Sequence, residues 1–332
     1  MTAFVGTDID RAASLLASGG LVAFATETVY GLGANAYDAG AVARIFSAKE
    51  RPEFDPLIVH LGDLRWLPDV VASVPPLAER LIDAFWPGPL TLVLPKTNRI
   101  PDLVTAGLPT VGVRMPAHPL SLELLRRANV PVAAPSANLF GQVSPTTARH
   151  VAEQLGERID YILDGGPCLV GVESTILDVS GDLPTLLRPG GLAVELIEAE
   201  IGAIRVPSPL SNENEPQLSP GRLMRHYATR TPLVIADREQ PPPGNQSVGL
   251  LTLVAEAGDE RYTAVEVLSA RGDLTEAATQ LFAAMRRLDA RGLDLIVARP
   301  VSESGLGRAI NDRLRRAARS SSLSRSDGRG LG

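Results

Sequence analysis

Cysteine is nearly absent from this chain, because Cys168 is the only one among 332 residues. A single thiol excludes an intrachain disulfide and any zinc site built from several cysteines. The thiol could still act as a nucleophile, although it follows Gly165, Gly166 and Pro167 and has no obvious base nearby. The four histidines are scattered and show no two-histidine metal spacing. We therefore expect no metal site formed by the protein itself.

Long apolar runs and a basic surplus are also missing. No run approaches the roughly 18 apolar residues that a membrane-spanning helix needs, and the first residues lack the pattern of a secretion signal. The net charge of −6 argues against an extended basic groove for nucleic acid. Apolar residues make up 45% of the chain, which is enough to fill a core. We expect a soluble cytoplasmic protein with no membrane contact.

The length suits two domains, and the pattern changes accordingly along the chain. Short apolar runs alternate with amphipathic stretches up to about residue 202, whereas residues 205–220 are rich in Pro, Ser, Asn and Glu. Strands then alternate with helices, which predicts a small parallel-sheet domain. The predicted parts are a first domain (1–204), a linker (205–231), a second domain (232–319) and a disordered tail (320–332).

The periodicity of apolar residues predicts the main elements of both domains. In the first domain the predicted helices are 8–18, 76–85, 119–128 and 145–155, with Asp38 capping another. The predicted strands there are 21–25, 57–61, 90–94, 110–114, 130–134, 161–163, 174–179 and 184–188. In the second domain they are strands 232–236, 248–254, 263–268 and 294–298, and helices 274–288 and 307–319.

Polar and charged side chains cluster just beyond these strands, where open α/β sheets bind their ligands. Arginine can grip a carboxylate or phosphate with two hydrogen bonds, and short polar side chains orient a ligand without bulk. This inventory suits an anionic ligand with hydroxyl and carboxylate groups. The cationic members are Lys49, Arg51, Arg114 and Arg188, and the short polar members are Thr26, Ser136, Asn138, Ser144 and Ser174.

Each of these residues also has a purely structural interpretation. A cation near a helix C-terminus complements the helix dipole, and short polar residues form turns. The alternatives are dipole contacts for Lys49 and Arg51, a core position for His60, turns for Ser136 and Asn138, and structural ion pairs for Arg114 and Arg188.

Two other functions match parts of the sequence. Gly31, Gly33 and Ala36 fit a loose dinucleotide-binding fingerprint, although five residues separate the glycines from the preceding strand, where a tight turn is expected. A non-catalytic RNA-binding module would use basic residues near the C-terminus, which could equally form a solvated helix face. These residues are Arg308, Arg313, Arg315, Arg316 and Arg319.

The order and spacing of the polar segments resemble the threonylcarbamoyl-AMP synthase family, the YrdC-like proteins, in its long two-domain form. The matching segments are 26–34, 49–60, 86–94, 110–116, 133–138, 171–176 and 187–190, and residues 305–313 look like the family's closing helix. Leu223 and Met224 depart from the Lys-Tyr pair usual in the family's linker. The resemblance implies an α/β fold, with a YrdC-like twisted mixed-sheet domain followed by a smaller Rossmann-like α/β domain.

The resemblance also implies an activity and a set of partners. Members condense L-threonine, bicarbonate and ATP into threonylcarbamoyl-AMP and release pyrophosphate. Downstream threonylcarbamoyl-transferase proteins then use the product to modify tRNA, and a direct tRNA contact stays open. Mg²⁺ would arrive with ATP, because the sequence shows no dedicated cluster of metal-binding carboxylates.

Carried over by position, the resemblance implies the role of each site residue. Lys49 and Arg51 would be the catalytic cations near the phosphates, and the linker carrying Tyr227 would form a lid. The threonine pocket would comprise Thr26, His60, Arg114, Ala134 and Ser174. ATP would contact Lys49, Glu53, Thr110, Ser136, Asn138, Ser144, Arg188 and Tyr227.

Overall fold

The computed structural model describes residues 4–207, 226–236 and 246–326. These residues form two compact units. The second unit contains residues 226–236 and 246–326 together with two short segments, Gly141–Ser144 and Val170–Val172. The rest of residues 4–207 form the first unit. Most of the predicted linker, including Leu223 and Met224, and residues 327–332 lie outside the described residues.

The first unit contains one mixed β-sheet. Its strands are β1 (Phe4–Gly6), β2 (Val22–Phe24), β3 (Gly31–Asn35), β4 (Ile58–His60), β5 (Leu90–Pro95), β6 (Thr110–Arg114), β7 (Val132–Ala133), β8 (Tyr161–Leu163), β9 (Thr175–Asp178) and β10 (Thr185–Arg188). They form a 10-stranded sheet in the order β1-β8-β2-β3-β7-β4-β6-β5-β9-β10. The pairs β1/β8, β8/β2, β4/β6 and β5/β9 are parallel. The other neighbouring pairs are antiparallel. The mixed-sheet prediction is confirmed.

Two helices of this unit begin directly after an aspartate that caps them. The Asp8 and Asp38 side chains accept backbone N–H groups in the first turns of α1 and α2, as expected for aspartate caps. The helices are α1 (Ile9–Ala17), α2 (Ala39–Lys49), α3 (Leu67–Val70), α4 (Pro76–Phe85), α5 (Asp102–Thr105), α6 (Pro119–Ala128), α7 (Ala148–Leu155) and α8 (Val194–Ile201).

Side chains of β2 alternate between two apolar clusters, because successive residues of a strand face opposite sides of a sheet. Val22 and Phe24 pack with apolar residues of α1 and α6. Ala23 belongs to the cluster on the other face, which includes apolar residues of α2, α4 and α7. The sheet is therefore buried between helices at this point, which fixes the start of the loop that follows β2.

Strand β3 was predicted to be part of a loop, and the structure corrects this. Its residues pair antiparallel with β2, with Gly33 opposite Val22. A Cβ at Gly33 would lie 2.7 Å from Val132 Cγ1 and 2.8 Å from a Phe24 ring carbon. Glycine therefore permits close packing within a strand here, and the tight strand-to-helix turn of a dinucleotide site is not formed. The dinucleotide-binding interpretation is wrong.

The second unit contains a small parallel sheet, as predicted. Its strands are β11 (Leu233–Ile235), β12 (Val248–Thr252), β13 (Ala264–Val267) and β14 (Leu295–Ala298), in the order β11-β14-β12-β13. All the pairs are parallel. The second unit also contains the helices α9 (Leu274–Asp289) and α10 (Gly307–Ser326). Helix α10 runs to Ser326, beyond the predicted end at Arg319, and the predicted disordered tail stays a prediction.

The arginines of α10 do not all form a solvated basic face. Arg313 is fully buried, and its guanidinium carbon lies 5.4 Å from the centre of the Tyr227 ring. Arg316 Nε donates to Asp312 Oδ1 at 3.0 Å, and Arg315 pairs with Glu303. The interpretation of this helix as an exposed phosphate-contacting surface is therefore wrong for Arg313. In the described part of the chain, no helix combines the length and apolar character that crossing a membrane requires.

Candidate active site

The loop after β2 is a fixed turn. The Thr26 hydroxyl donates to the Val29 carbonyl at 2.6 Å and accepts the N–H groups of Thr28 and Val29, both at 3.2 Å. Thr26 is 2% exposed. These contacts hold the side chains of residues 27 and 28 in defined positions. The loop is therefore preorganised, and Thr26 contributes to its shape whatever else it binds.

Arg114 ends β6 and points toward this turn. In the register of β4 and β6 it lies opposite His60. Its Nε donates to the Gly88 carbonyl at 3.1 Å, and its Nη1 donates to Thr28 Oγ1 at 3.0 Å. Its Nη2 lies 2.5 Å from Glu27 Oε1, and the exposed fractions of these two side chains are 4% and 9%. The predicted ion pair of Arg114 is thus present, and it is buried.

His60 is an uncharged member of the same region. Its Nδ1 lies 3.2 Å from the Ile58 carbonyl, and Phe24 meets the imidazole edge to face. Burial, together with the positive charge of Arg114, lowers the pKa of His60 to about 3. The imidazole therefore stays neutral near pH 7 and can form hydrogen bonds to a hydroxyl without adding a second charge.

Lys49 is the last residue of α2 and is 1% exposed. Its Nζ donates to the carbonyl oxygens of Ser136 and Asn138, both at 2.5 Å. Burial is the main reason why the pKa of Lys49 lies well below its usual value. The neighbouring Arg51 lowers the pKa further, and Asp55 opposes this effect. Lys49 therefore joins the helix end to the loop after β7, which is more than a contact with the helix dipole.

The contacts of Arg51 lie within the loop that follows α2. Its Nη2 is 2.9 Å from Asp55 Oδ2 and donates to the Pro56 carbonyl at 3.0 Å, and its Nε donates to the Asp55 carbonyl at 3.2 Å. Both charged side chains are nearly inaccessible. In this arrangement Arg51 stiffens the loop that carries the exposed Glu53. Its predicted position against phosphates stays a prediction.

Arg188 is another cation of the candidate site, and it contacts Ser174. Arg188 Nε and Nη2 donate to the Ser174 carbonyl at 3.2 and 2.9 Å, and Nη2 also lies 3.2 Å from Ser174 Oγ. The Ser174 hydroxyl is 2.8 Å from Thr91 Oγ1. A Cβ at Gly190 would lie 2.3 Å from the Glu173 carbonyl oxygen, so the close approach of these two segments requires glycine.

Backbone hydrogen bonds join these groups into one network. The loop after β7, whose Ser136 and Asn138 carbonyl groups accept from Lys49, is called the lysine-binding loop. Its Ala137 N–H donates to the Tyr30 carbonyl at 2.8 Å, and Tyr30 lies at the end of the turn that contacts Arg114. The N–H of Thr175 donates to the Pro89 carbonyl at 2.9 Å, next to the glycine that accepts from Arg114. Lys49, Arg114 and Arg188 are therefore linked within the first unit, with Arg114 in the middle.

A narrow cleft opens beside this network. Its internal volume is about 10 Å³, and its lining includes Thr91, Val93, Thr110 and Ile176. The sequence placed the site in loops beyond the strand ends, whereas these residues are part of strands β5, β6 and β9. The cleft combines apolar walls with threonine hydroxyl groups, and its volume is close to that of a single water molecule.

The remaining predicted residues fall into two groups. In the first unit, Ala134 is buried and donates its N–H to the Ile58 carbonyl at 2.9 Å, while Ser136 is half-buried. Ser144 and Tyr227 belong to the second unit and are both 1% exposed. The Tyr227 ring stacks on Phe282, with 5.4 Å between centres. The predicted ATP contacts of these two residues, and the lid, stay predictions.

Two contributors were not singled out from the sequence. Glu27 and Thr28 hold Arg114, although only their neighbour Thr26 was chosen. The available signal was charge, because Glu27 is the only ionisable acid in the otherwise apolar and neutral stretch 21–36. A carboxylate in such a stretch is rarely buried unless it is paired.

The Cys168 thiol does not suit nucleophilic chemistry. Burial raises the pKa of the Cys168 thiol to about 12, so the thiol stays protonated at neutral pH and the nucleophile interpretation fails. Across residues 4–207, 226–236 and 246–326, no group of 3 or more His, Cys, Asp or Glu side chains is arranged to hold a metal ion.

Comparison with known proteins assigns the chain to a family. Residues 14–190 match the family described as "Telomere recombination", which groups Sua5, YciO and YrdC proteins. Residues 192–319 match the family described as "Threonylcarbamoyl-AMP synthase, C-terminal domain". The chain belongs to the threonylcarbamoyl-AMP synthase family. The family recognised from the spacing of the polar segments is thus confirmed.

Relatives of known name cover nearly the whole chain. The threonylcarbamoyl-AMP synthase of Bacillus subtilis is 46% identical over 320 residues, which are 93% of this chain and 92% of the relative. The enzyme of Pyrococcus abyssi is 44% identical over 92% of this chain and 93% of its own. The crystal structure of P. abyssi Sua5 complexed with L-threonine matches with a TM-score of 0.87 and 42% identity, covering 94% of both chains. This family member therefore has the family's two-domain fold.

Proposed function

We propose that this chain condenses L-threonine, bicarbonate and ATP into threonylcarbamoyl-AMP, with release of pyrophosphate. Membership of the family supports the reaction, and the crystallised relative with bound L-threonine supports the amino acid. The observation that carries the proposal for this chain is the single network joining Lys49, Arg114 and Arg188. A carboxylate and a polyphosphate both need cations, and three cations are linked by this network.

The threonine half of the site is proposed around Arg114, which would bind the substrate carboxylate. Thr26, His60, Ala134 and Ser174 would surround the side chain of threonine. Because His60 is neutral, it can hydrogen-bond the substrate hydroxyl. The small Ala134 would leave room for the methyl group. Such a pocket distinguishes threonine from serine by only one methyl group, worth ~1–3 kcal/mol.

The ATP half is proposed around the lysine-binding loop. Lys49 and Arg188 would neutralise the phosphates, and Arg51 would stiffen the loop that follows α2. Mg²⁺ would enter as part of the ATP substrate. The other proposed contacts are Glu53, Thr110, Ser136, Asn138, Ser144 and Tyr227.

The proposed chemistry needs positioning more than a nucleophilic side chain. The α-ammonium group of threonine first loses one proton to water. The resulting amine attacks carbon dioxide derived from bicarbonate, loses a second proton to water and becomes a carbamate. A carbamate oxygen then attacks the α-phosphorus of ATP, and the bond to pyrophosphate breaks. Fixed cations that stabilise the developing charge and hold the reactants in line suffice for such a displacement. The protonated thiol of Cys168 takes no part in it.

The proposed product defines the cellular setting. Threonylcarbamoyl-AMP is a reactive mixed anhydride, so a transferase must consume it promptly, and its acceptor would be tRNA. We place the enzyme in the cytoplasm, where ATP, tRNA and such transferases meet. A direct contact between this chain and tRNA remains part of the proposal.

Omission of single substrates tests the proposed reaction. We expect pyrophosphate release from ATP to fall to background when either threonine or bicarbonate is left out, because the attacking oxygen belongs to a carbamate made from both. Mass spectrometry with ¹³C-bicarbonate should place the label in threonylcarbamoyl-AMP. Release that is independent of bicarbonate, with unlabelled threonyl-AMP as product, would show a different adenylation reaction.

A further inference from the structure

Glu27 is the least expected charged group of the site. Its side chain is 9% exposed and lies 2.5 Å from Arg114 Nη2. Among the described residues, neither of its carboxylate oxygens has a hydrogen-bond partner beyond this ion pair. A buried carboxylate with so few partners is costly, since desolvation is offset only by the charge of the arginine. The position therefore calls for an explanation beyond holding the turn.

The ion pair also constrains what can bind at Arg114. The guanidinium already donates to the Gly88 carbonyl and to the Thr28 hydroxyl, and Glu27 neutralises its charge. A ligand carrying only a carboxylate would place a second negative charge against the same guanidinium. One of the two carboxylates would then be buried without compensation, which is strongly unfavourable.

A zwitterion avoids this problem. An α-amino acid carries a carboxylate and an ammonium group on the same carbon, so it brings one charge of each sign to the buried pair. With the substrate carboxylate on Arg114 and the ammonium on Glu27, every charge has a partner of opposite sign. The net charge of the pocket is zero both before and after binding.

We propose that Glu27 is a substrate-binding residue that accepts the α-ammonium group of threonine. The inference rests on the proposed function, because it assumes that Arg114 binds the threonine carboxylate. Its consequence is specificity: the pocket selects α-amino acids over α-hydroxy acids of the same shape. A hydroxyl group carries no positive charge for Glu27 to bind. The ion pair between Glu27 and Arg114 would then stay intact and would not bind the α-hydroxy acid.

The competing explanation is that Glu27 only positions Arg114. Two ligands separate these roles, L-threonine and 2,3-dihydroxybutanoate, in which a hydroxyl replaces the ammonium group. The variant is Glu27→Gln, whose amide oxygen can still accept from Arg114. The matched control is Glu123→Gln, because Glu123 forms an exposed pair with Arg127 in α6. Binding is measured by titration calorimetry on the full chain, and binding of a non-hydrolysable ATP analogue reports on folding.

We expect Glu27→Gln to weaken threonine binding about 10- to 100-fold, as expected for a lost hydrogen bond to a charged group. Binding of 2,3-dihydroxybutanoate should stay unchanged or improve, and Glu123→Gln should behave like the wild type. An equal loss of affinity for both ligands in Glu27→Gln would mean that Glu27 only positions Arg114. No loss of affinity for either ligand would show that Glu27 does not take part in substrate binding. The wild type gives a test without any variant, since equal affinity for the two ligands overturns the proposal. Failure of the wild type to bind threonine would instead contradict the proposed function itself.

Discussion

Replacing Lys49 by methionine is expected to lower threonine-dependent pyrophosphate release by about 10²- to 10³-fold, the usual effect of removing one preorganised charge-stabilising donor. Methionine keeps the apolar stem of the side chain and removes only the amine that bridges Ser136 and Asn138. In the proposed reaction this amine stabilises charge that develops on the phosphates, so kcat should fall. Stopped-flow detection of pyrophosphate gives the rate.

Lys96→Met is the matched control for this prediction. The Lys96 side chain pairs with Asp102 and donates to the Ile100 carbonyl, so both of these polar contacts lie within residues 96–102. Its replacement should leave pyrophosphate release within about twofold of the wild type, since its partner Asp102 is exposed and neither residue belongs to the network around Arg114. A Lys49→Met variant that is as active as Lys96→Met would remove Lys49 from the catalytic machinery.

The stability of Lys49→Met has its own pH signature. The folded chain holds the pKa of Lys49 well below 10.5. Between that lowered pKa and pH 10.5 the unfolded chain therefore binds more protons than the folded chain, and the free energy of unfolding of the wild type rises with pH across this window. This contribution should be absent in Lys49→Met. Denaturant titrations at several alkaline pH values, compared with Lys96→Met, measure the difference.

Arg114→Met should impair both threonine binding and stability. Losing one partner of a buried charge contact costs ~2–5 kcal/mol, so the KM for threonine should rise about 30-fold or more. The same substitution leaves Glu27 buried without its counterion, which should lower the free energy of unfolding by ~3–5 kcal/mol. The apparent affinity for ATP should change little, because Lys49 and Arg188 are untouched.

The double variant Arg114→Met/Glu27→Gln separates the two effects. Removing both charges should restore most of the lost stability, because no unpaired charge remains buried. Threonine-dependent activity should stay low, since the group that binds the substrate carboxylate is still missing. If the double variant regained activity together with stability, Arg114 would be only a structural residue.

The sequence predicted the fold well wherever local signals and apolar periodicity agreed. Helix α1 begins after its cap Asp8 and ends before Gly19, as expected. The strand β3 was missed because Gly31 and Gly33 suggested a loop. Their reason for being glycine is a neighbouring strand, which is visible only in the folded sheet.

The candidate site was predictable in its inventory but not in its pairings. The positions of the cations near the predicted strand ends, together with the family resemblance, single out Lys49, Arg114 and Arg188. The sequence alone does not indicate that Glu27 meets Arg114 or that Lys49 binds the carbonyl groups after β7, because these contacts join distant segments. Arg51 and Asp55 lie only four residues apart in one loop, so their ion pair was the contact most open to prediction.

The most direct test of this account is a crystal structure of the chain with L-threonine and a non-hydrolysable ATP analogue. We expect the threonine carboxylate on the Arg114 guanidinium, its ammonium on Glu27, and the analogue's phosphates beside Lys49, with both ligands in one continuous cavity. Threonine bound away from Arg114, or a nucleotide in a cavity separate from the amino acid, would contradict the account.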